Sequence, residues 1–393
     1  MSETEYKTAT LEETVVLARL QNFVFSFNRD EKEIREGIEN GKNSVSYCAI
    51  EENSRVLAGM EVIPYSMWFD GQKVLMSGIG GVATAPESRR SGHIRKLFEK
   101  VFDDIYEQGF VFSHLYPFNY DYYRKFGYEH CGTAKRYTLP SAPARKLKNN
   151  GTAHEHLKND GARDKLIEIH EEFASRHNAM ISRSKQTWNE ILNIPEFGHE
   201  RLYYWKNSNS EIKAWVKFKR DGNTMLIHDI AWADNESMFG ILQFMGMFEG
   251  AASNLKFTSS PEFIPEIYWN SLYEMNSEPA TLGMSRIINV KHVFELMKKP
   301  NDEGNFSIKV IDDFAEWNND TYTIEYGSGE CSVKTSSNST ADAEMSERAL
   351  TQMVLGVYDF NALSLRDDVI INSNIDVLRK VFRKKNVFIT DGF

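Results

Sequence analysis

Val82-Ala83-Thr84-Ala85-Pro86-Glu87-Ser88-Arg89-Arg90-Ser91-Gly92-His93-Ile94 joins the end of one apolar run to the start of another. Upstream, Val74 to Ala83 reads as a strand entered through a tight hairpin at Phe69-Asp70-Gly71-Gln72-Lys73. Downstream, Ile94, Leu97, Phe98, Val101, Phe102 and Ile105 recur at helical spacing, the clearest amphipathic pattern in the chain. Gly109 suits the C-terminal cap of that helix, and Phe110 to Tyr116 reads as the next strand. In this order of strand, loop, helix and strand the loop has a chemistry. A helix N-terminus presents unpaired N–H groups and the positive end of the backbone dipole, which together favour an anion. Gly92 lets a phosphate approach the backbone, and Arg89, Arg90 and Arg95 surround it with positive charge. A diphosphate-bearing ligand fits. In isolation an Arg-x-x-Gly string reads as a solvated loop, but its place between a strong strand and a strong helix reverses that. The stretch is neither the dinucleotide fingerprint nor a Walker loop.

Outward from this stretch, Leu11 to Phe27 has a helical run, and Ser46 to Ile50 and Arg55 to Ile63 read as strands. Ser141 to Arg163, with Pro143 and Asn149-Asn150-Gly151, reads as a linker. His154 and His156 within it form a His-x-His, but no third metal ligand is apparent and a solvated linker is the expectation. In a second segment Glu211 to Phe218, Thr224 to Trp232 and Leu255 to Ser259 read as strands around a helix near Glu236 to Ala252. After residue 289, Ser307 to Ile311, Thr321 to Tyr326 and Cys331 to Thr335 are short alternating runs. Helices from Ser346 to Val357 and near Ile375 to Phe382 follow, then a strand, Asn386 to Thr390.

At 393 residues, 41% hydrophobic and 26% charged, the chain can build two to three ordinary cores and is neither disordered nor fibrous. Its longest nearly unbroken apolar stretch, Met238 to Phe248, is too short to span a bilayer, and the acidic start at Met1 is no signal peptide. Cys48, Cys131 and Cys331 are odd in number and widely spaced, which suits free thiols in a reducing compartment. The expectation is a cytoplasmic protein. A net charge of −10 speaks against nucleic acid and favours a cationic substrate.

The loop at 82–94 resembles the acetyl-CoA-binding motif of the GNAT N-acetyltransferases, Arg/Gln-x-x-Gly-x-Gly/Ala, with Ile94 at the last position. Within that superfamily the chain is most similar to the enhanced intracellular survival (Eis) family. Tyr122-Tyr123-Arg124-Lys125-Phe126-Gly127-Tyr128 is similar to that family's Tyr-x-(Arg/Lys)-Phe-Gly-Tyr stretch. Asp312-Asp313-Phe314-Ala315-Glu316-Trp317-Asn318-Asn319 resembles the opening of its sterol-carrier-protein-like domain. The resemblance implies an α/β fold of mixed sheets, with tandem GNAT units at 1–148 and 149–288, the second lacking a cofactor motif. A sterol-carrier-protein-like α+β domain follows at 289–393 and ends in a catalytic C-terminus.

By the same resemblance, Val82, Ala83 and Thr84 offer edge-strand backbone to pantetheine, and Arg90, Ser91, Gly92, His93, Ile94 and Arg95 hold the diphosphate. Phe118 and Asn119 make further cofactor contacts, Asn119 standing where an acidic residue is frequent. Tyr123 aligns with the general acid, with Tyr122 as the fallback in an aromatic strip. Phe393 supplies its α-carboxylate as base. A free α-carboxyl titrates near about 3.5, so desolvation or a water relay must bridge the gap to an alkylammonium. Phe25, Trp68 and Asp391 are candidates for a cation-holding pocket, and Cys131 is left structural. The implied activity is acetyl transfer from acetyl-CoA, without a metal, to amines of aminoglycoside-like polycations. The resemblance implies a homohexamer; neither nucleic acid nor membrane is an expected partner. The rival readings are a lysine or polyamine acetyltransferase and a non-catalytic CoA- or lipid-binding scaffold.

Overall fold

Asp70 and Gly71 both take positive φ, 51° and 84°, as a two-residue hairpin turn requires, and they join the two longest strands of the protein. The computed structural model describes residues 4–39, 44–51, 55–269, 272–337 and 340–392. Its first part comprises β1 (Thr4–Thr8), α1 (Leu11–Phe25), α2 (Glu31–Glu39), β2 (Val45–Glu51), β3 (Val56–Phe69), β4 (Gln72–Thr84), α3 (His93–Glu107), β5 (Phe112–Leu115), α4 (Tyr120–Arg124) and β6 (Glu129–His130). α3 lays Ile94, Leu97, Phe98, Val101, Phe102 and Ile105 into the core with none more than 7% exposed. Each such side chain contributes about 1.5–3 kcal/mol. The helix ends in a Schellman motif: Phe110 N donates to Ile105 O and Gly109 N to Tyr106 O, with Gly109 at φ 80°.

The middle part comprises β7 (Thr133–Pro140), α5 (Ser141–Ala144), β8 (Thr152–Glu155), α6 (Arg163–Ser175), β9 (Ile181–Ser182), α7 (Lys185–Leu192), β10 (Glu200–Lys206), β11 (Ile212–Asp221), β12 (Thr224–Trp232), α8 (Asn235–Gly246), β13 (Asn254–Ser259), β14 (Asn276–Thr281) and β15 (Met284–Ile287). It repeats the first architecture: an antiparallel meander, a helix, and a strand returning parallel to the last meander strand. The expected linker over 141–163 is instead structured. After the Asn149-Asn150-Gly151 turn, β8 pairs with β10 at the sheet edge. His154 stacks on Tyr204, and His156 bonds Asp160 at 2.9 Å. Turn residues there mark a sharp corner within the sheet. Among the described residues no group of three or more His, Cys, Asp or Glu could hold a metal.

Two strands are exchanged between the first two sheets. β7 leaves the first sheet to pair with β13 and β14 in the second. β15 crosses the other way and lies between β5 and β6, Met284 opposite Leu115 and Ile287 opposite Phe112. The first sheet therefore runs β1-β2-β3-β4-β5-β15-β6, with β9 pairing β3, and the second β14-β7-β13-β12-β11-β10-β8.

The last part adds α9 (Val290–Leu296), β16 (Gly304–Ile311), β17 (Thr321–Gly327), β18 (Glu330–Ser336), β19 (Ala343–Ser346), α10 (Glu347–Leu355), α11 (Phe360–Leu363), β20 (Val369–Ile371) and α12 (Ile375–Val381), with its strands ordered β18-β17-β16-β19-β20. Arg286 of the exchanged β15 fastens this part to the first. Fully buried, it pairs with Asp312 at 2.6 Å, donates to Phe126 O at 2.5 Å and lies over Phe102. The expected strand over 386–390 is one bridge, Asn178 to Val387. Its apolar residues are there to be buried, not to form a ladder: Val387, Phe388 and Ile389 are at most 5% exposed.

Candidate active site

β4 pairs with β5 only from Met76 to Ile79 and then runs on to Thr84, while β3 covers its other side as far as Ala58 opposite Thr84. From Gly80 onward β4 thus carries a free edge. A bulge sets this stretch off, since Glu61 faces Gly80 but Gly59 faces Ala83. Gly81 sits in it at φ 57°, and Gln21 Nε2 donates to both Gly81 O and Glu61 Oε1 at 3.0 Å. A Cβ on Gly81 would lie 2.2 Å from Gln21 Nε2.

The free edge opens into a cleft of about 810 Å³ that the Ser88–Arg95 loop closes at one end and Phe118, Tyr122, Lys125 and Phe126 face from the other side. Gly92, at φ 82°, is the N-cap of α3 and leaves its first turn without a side-chain cap. The N-termini of α1, α4, α7, α8 and α10 are each capped by a side chain, Thr10, Asn119, Ser184, Asp234 and Ser346 respectively. That of α3 keeps its N–H groups for an anion. The equivalent helix of the repeat, α8, begins with the Asp234 carboxylate on its first turn, which repels one.

Arg89 and Arg90 make no ion pair among the described residues, whereas Arg95 pairs with Glu99 at 3.2 Å and covers Phe314. The His93 ring turns away to Tyr6, Nδ1 2.9 Å from its hydroxyl, and burial lowers its pKa, so its part in the loop is its backbone N–H. Ala83 points into the core and can offer only backbone; Val82, Thr84, Ser91 and Ile94 line the cleft. Asn119 does not. It accepts from Tyr122 N at 2.9 Å as the cap of α4 and borders a neighbouring cleft with Arg124 and His130. Val24, Ser88, Lys125 and Phe126 also line the cleft without having been singled out as site residues; Ser88 lies within the 82–94 loop and Lys125 and Phe126 within the Tyr-Arg-Lys-Phe-Gly-Tyr run, whereas Val24 carries no signal.

Tyr122 faces this cleft, while Tyr123 lies behind it, 4% exposed, with ring centroids 5.2 Å from Tyr122, 5.5 Å from Phe118 and 6.4 Å from Phe98. Burial pushes both phenols above their ordinary pKa, Tyr123 well above it. Each is therefore protonated at neutral pH and suited to donate a proton.

A second cleft, about 480 Å³, opens between β3 at Ile63–Ser66, the β9–α7 segment at 181–190, and the C-terminal tail at Asp391 and Gly392. Arg183 anchors the tail, pairing with Asp229 at 2.6 Å and Asp391 at 2.8 Å. Tyr116 OH donates to Asp391 O at 2.9 Å. Asp391 and Glu190 line this cleft as carboxylates, with Arg183 and Lys185 as its cations, while Asp229 holds Arg183 from behind. Phe393 lies outside the described residues. The expected pocket of Phe25, Trp68 and Asp391 does not form. Phe25 lines the first cleft, Trp68 lies under Lys73 beside β9, and Asp391 belongs to the second cleft. Adjacent aromatic and acidic residue types carried no information about which sheet face each would occupy. Cys131 is buried against Ser285, Sγ 3.1 Å from Oγ, and burial raises its thiol to about 12, which leaves it inert.

Residues 5–131 match the family of the acetyltransferase (GNAT) domain, and residues 290–390 that of the sterol carrier protein domain. No curated protein matches the chain. Among solved structures, a conserved protein of unknown function from Enterococcus faecalis V583, a probable N-acyltransferase, is 18% identical with a TM-score of 0.88, each chain covered over 100%. The GCN5-related N-acetyltransferase of Anabaena variabilis ATCC 29413 is 18% identical with a TM-score of 0.86, and Eis1 of Mycobacterium abscessus 16% identical with 0.80, again over 100% of each chain. At these identities the likeness is one of fold. The chain is an acetyltransferase: its first domain is of the GNAT kind, whose fold takes acetyl-CoA as substrate, and it shares with these three proteins a fold that spans its whole length.

Proposed function

We propose that the protein is an Eis-type N-acetyltransferase that acetylates amines of small polycationic, aminoglycoside-like molecules. The observation that carries this reading is the free edge of β4 running into the uncapped N-terminus of α3 beside Arg89 and Arg90. The strand edge suits the amides of a pantetheine arm, and the helix end suits its diphosphate. In the second cleft, Asp391 and Glu190 offer carboxylates to the ammonium groups of an acceptor.

The acceptor ammonium gives a proton to the terminal carboxylate of Phe393, directly or through water, and the free amine attacks the thioester carbonyl. The C–N bond forms, the tetrahedral intermediate collapses, and the C–S bond breaks. Tyr123 protonates the leaving thiolate and takes up, directly or through water, the proton that the attacking nitrogen sheds, and the amide and CoA depart. The homohexamer rests on the Eis-type resemblance alone. Free cysteines support a reducing, cytoplasmic setting.

The test is incubation of the native chain with acetyl-CoA and a panel of aminoglycosides, polyamines and lysine peptides, counting acetyl groups by mass spectrometry beside a chain lacking Phe393. Multiple acetylation of aminoglycosides that collapses in the shortened chain is expected. Acetylation confined to peptides or polyamines overturns the acceptor class. Full activity without Phe393 overturns the terminal base.

A further inference from the structure

The three parts of the molecule meet at a third cleft, about 570 Å³, that shares no lining residue with the other two. The Asp70-Gly71 hairpin comes to it from the first sheet, the end of α6 from the middle part, and the segments after α9 and α12 from the last. Its walls carry six cations, Arg176, Lys298, Lys299, Arg383, Lys384 and Lys385, against one carboxylate, Asp70. This concentration stands out in a chain of net charge −10.

Asp70 is already used. It accepts from Lys385 Nζ at 2.7 Å and from the backbone N–H of Lys298 at 2.8 Å. Among the described residues Lys385 is the one cation of the six in an ion pair. Arg176 donates to Trp232 O and Ala233 O, and Arg383 to Lys380 O, bonds that hold them in the wall without neutralising them. Asp302, near Arg383, is bonded to Lys380 at 3.0 Å. Glu262 lies near Arg176 but outside ion-pair distance. Burial, with Lys299 and Arg383 close by, lowers the pKa of Lys385, the response of a cation crowded by others.

We propose that this cleft is a binding site for a small molecule bearing an oligophosphate chain. A concave site lined by one sign of charge focuses its field on a ligand of the opposite sign. Five uncompensated cations call for several negative charges on one molecule. Lysine ammonium groups bind phosphate as point charges and need no fixed angle, as Lys298 and Lys384 would, while Lys299 is held by Phe294 O and Glu295 O at the end of α9 with its charge unpaired among the described residues. The volume is that of a nucleotide-sized ligand, within the roughly 300–1,000 Å³ typical of small-molecule pockets. A duplex or a membrane would need the charge on an open face.

Isothermal titration of the full chain with inorganic triphosphate tests the site, with inorganic phosphate as comparator. Two variants separate it from the α3 loop: Lys298→Glu/Lys384→Glu, both exposed positions, and Arg89→Glu/Arg90→Glu. Triphosphate is expected to bind Arg89→Glu/Arg90→Glu with one equivalent per chain, at least tenfold tighter than phosphate. The affinity should fall at least tenfold in Lys298→Glu/Lys384→Glu, whose CoA affinity stays that of the parent. A Lys298→Gln/Lys384→Gln variant with parental melting temperature should show the same loss in lesser degree. Absence of triphosphate binding to Arg89→Glu/Arg90→Glu overturns the site, as does undiminished binding to Lys298→Glu/Lys384→Glu. Because acetyl transfer is read separately on the same samples, an inactive enzyme and an empty third cleft give different results.

Discussion

The Tyr116 hydroxyl donates to the main-chain oxygen of Asp391 at 2.9 Å, so the strand that ends beside the donor cleft holds the chain's last residues directly. A side-chain-to-backbone bond of this kind contributes about 1 kcal/mol. Tyr116→Phe is therefore expected to lower kcat roughly fivefold while leaving the KM for acetyl-CoA unchanged. Steady-state kinetics, with carboxypeptidase digestion of the tail in parallel, checks it. An unchanged kcat with a more digestible tail would separate tail anchoring from catalysis.

Tyr122 and Tyr123 are adjacent but differently placed, one facing the donor cleft and one behind it. If Tyr123 is the acid, Tyr123→Phe lowers kcat by about 100-fold or more, in line with the loss of a general acid. Tyr122→Phe raises the KM for acetyl-CoA with little change in kcat. The reverse pattern would assign the proton to Tyr122.

Gly92 has open space within 4 Å of where a Cβ would stand, so its φ of 82° is the only obstacle to a side chain. Gly92→Ala is expected to cost about 1 kcal/mol of backbone strain. The predicted result is a roughly fivefold rise in the KM for acetyl-CoA, because the strain falls on the turn that receives the diphosphate. Titration with CoA, compared with the acceptor's KM, shows whether the effect stays at that end.

Glu347 lies buried beside Arg286 and Asp312, and burial, with Asp312 second, pushes its carboxyl up to about 7. Between the ordinary value of 4.5 and about 7 the folded chain binds the extra proton, so this group's contribution to stability falls as pH rises through that window. Glu347→Gln should leave the melting temperature unchanged near pH 5 and raise it by roughly 2 °C at pH 8. Equal shifts at both pH values would mean that Glu347 is charged throughout.

The local elements were legible because their signals are local. The amphipathic stripe of α3, its Gly109 cap and the Asp70-Gly71 hairpin depend on spacing and on backbone conformations that few residues adopt. The loop at 88–95 was legible for the same reason, and the structure brings its residues to one cleft. What could not be read is whatever depends on contact at long range. Trp68 and Phe25 look alike as isolated aromatics, and only the pairing of β3 with β9 decides that Trp68 stays out of the donor cleft. The acceptor cleft draws on residues 63–66, 181–190 and 391–392, three stretches with no common motif. Asn119 looked like a ligand-binding position because its neighbours are; its side chain was needed to cap α4.

The exchange of β7 and β15 has a consequence for synthesis. On the ribosome, the gap between β5 and β6 stays open until Ile287 has left the exit tunnel, long after β6 itself emerges. At about 5–20 residues per second, that leaves two bare strand edges for roughly ten to thirty seconds. The first domain thus cannot mature ahead of the second, and the two must be completed together or guarded meanwhile by a chaperone. Nascent chains stalled before and after Ile287 clears the tunnel should differ sharply in the protease sensitivity of β5. Equal protection in both would mean that another segment fills the gap first.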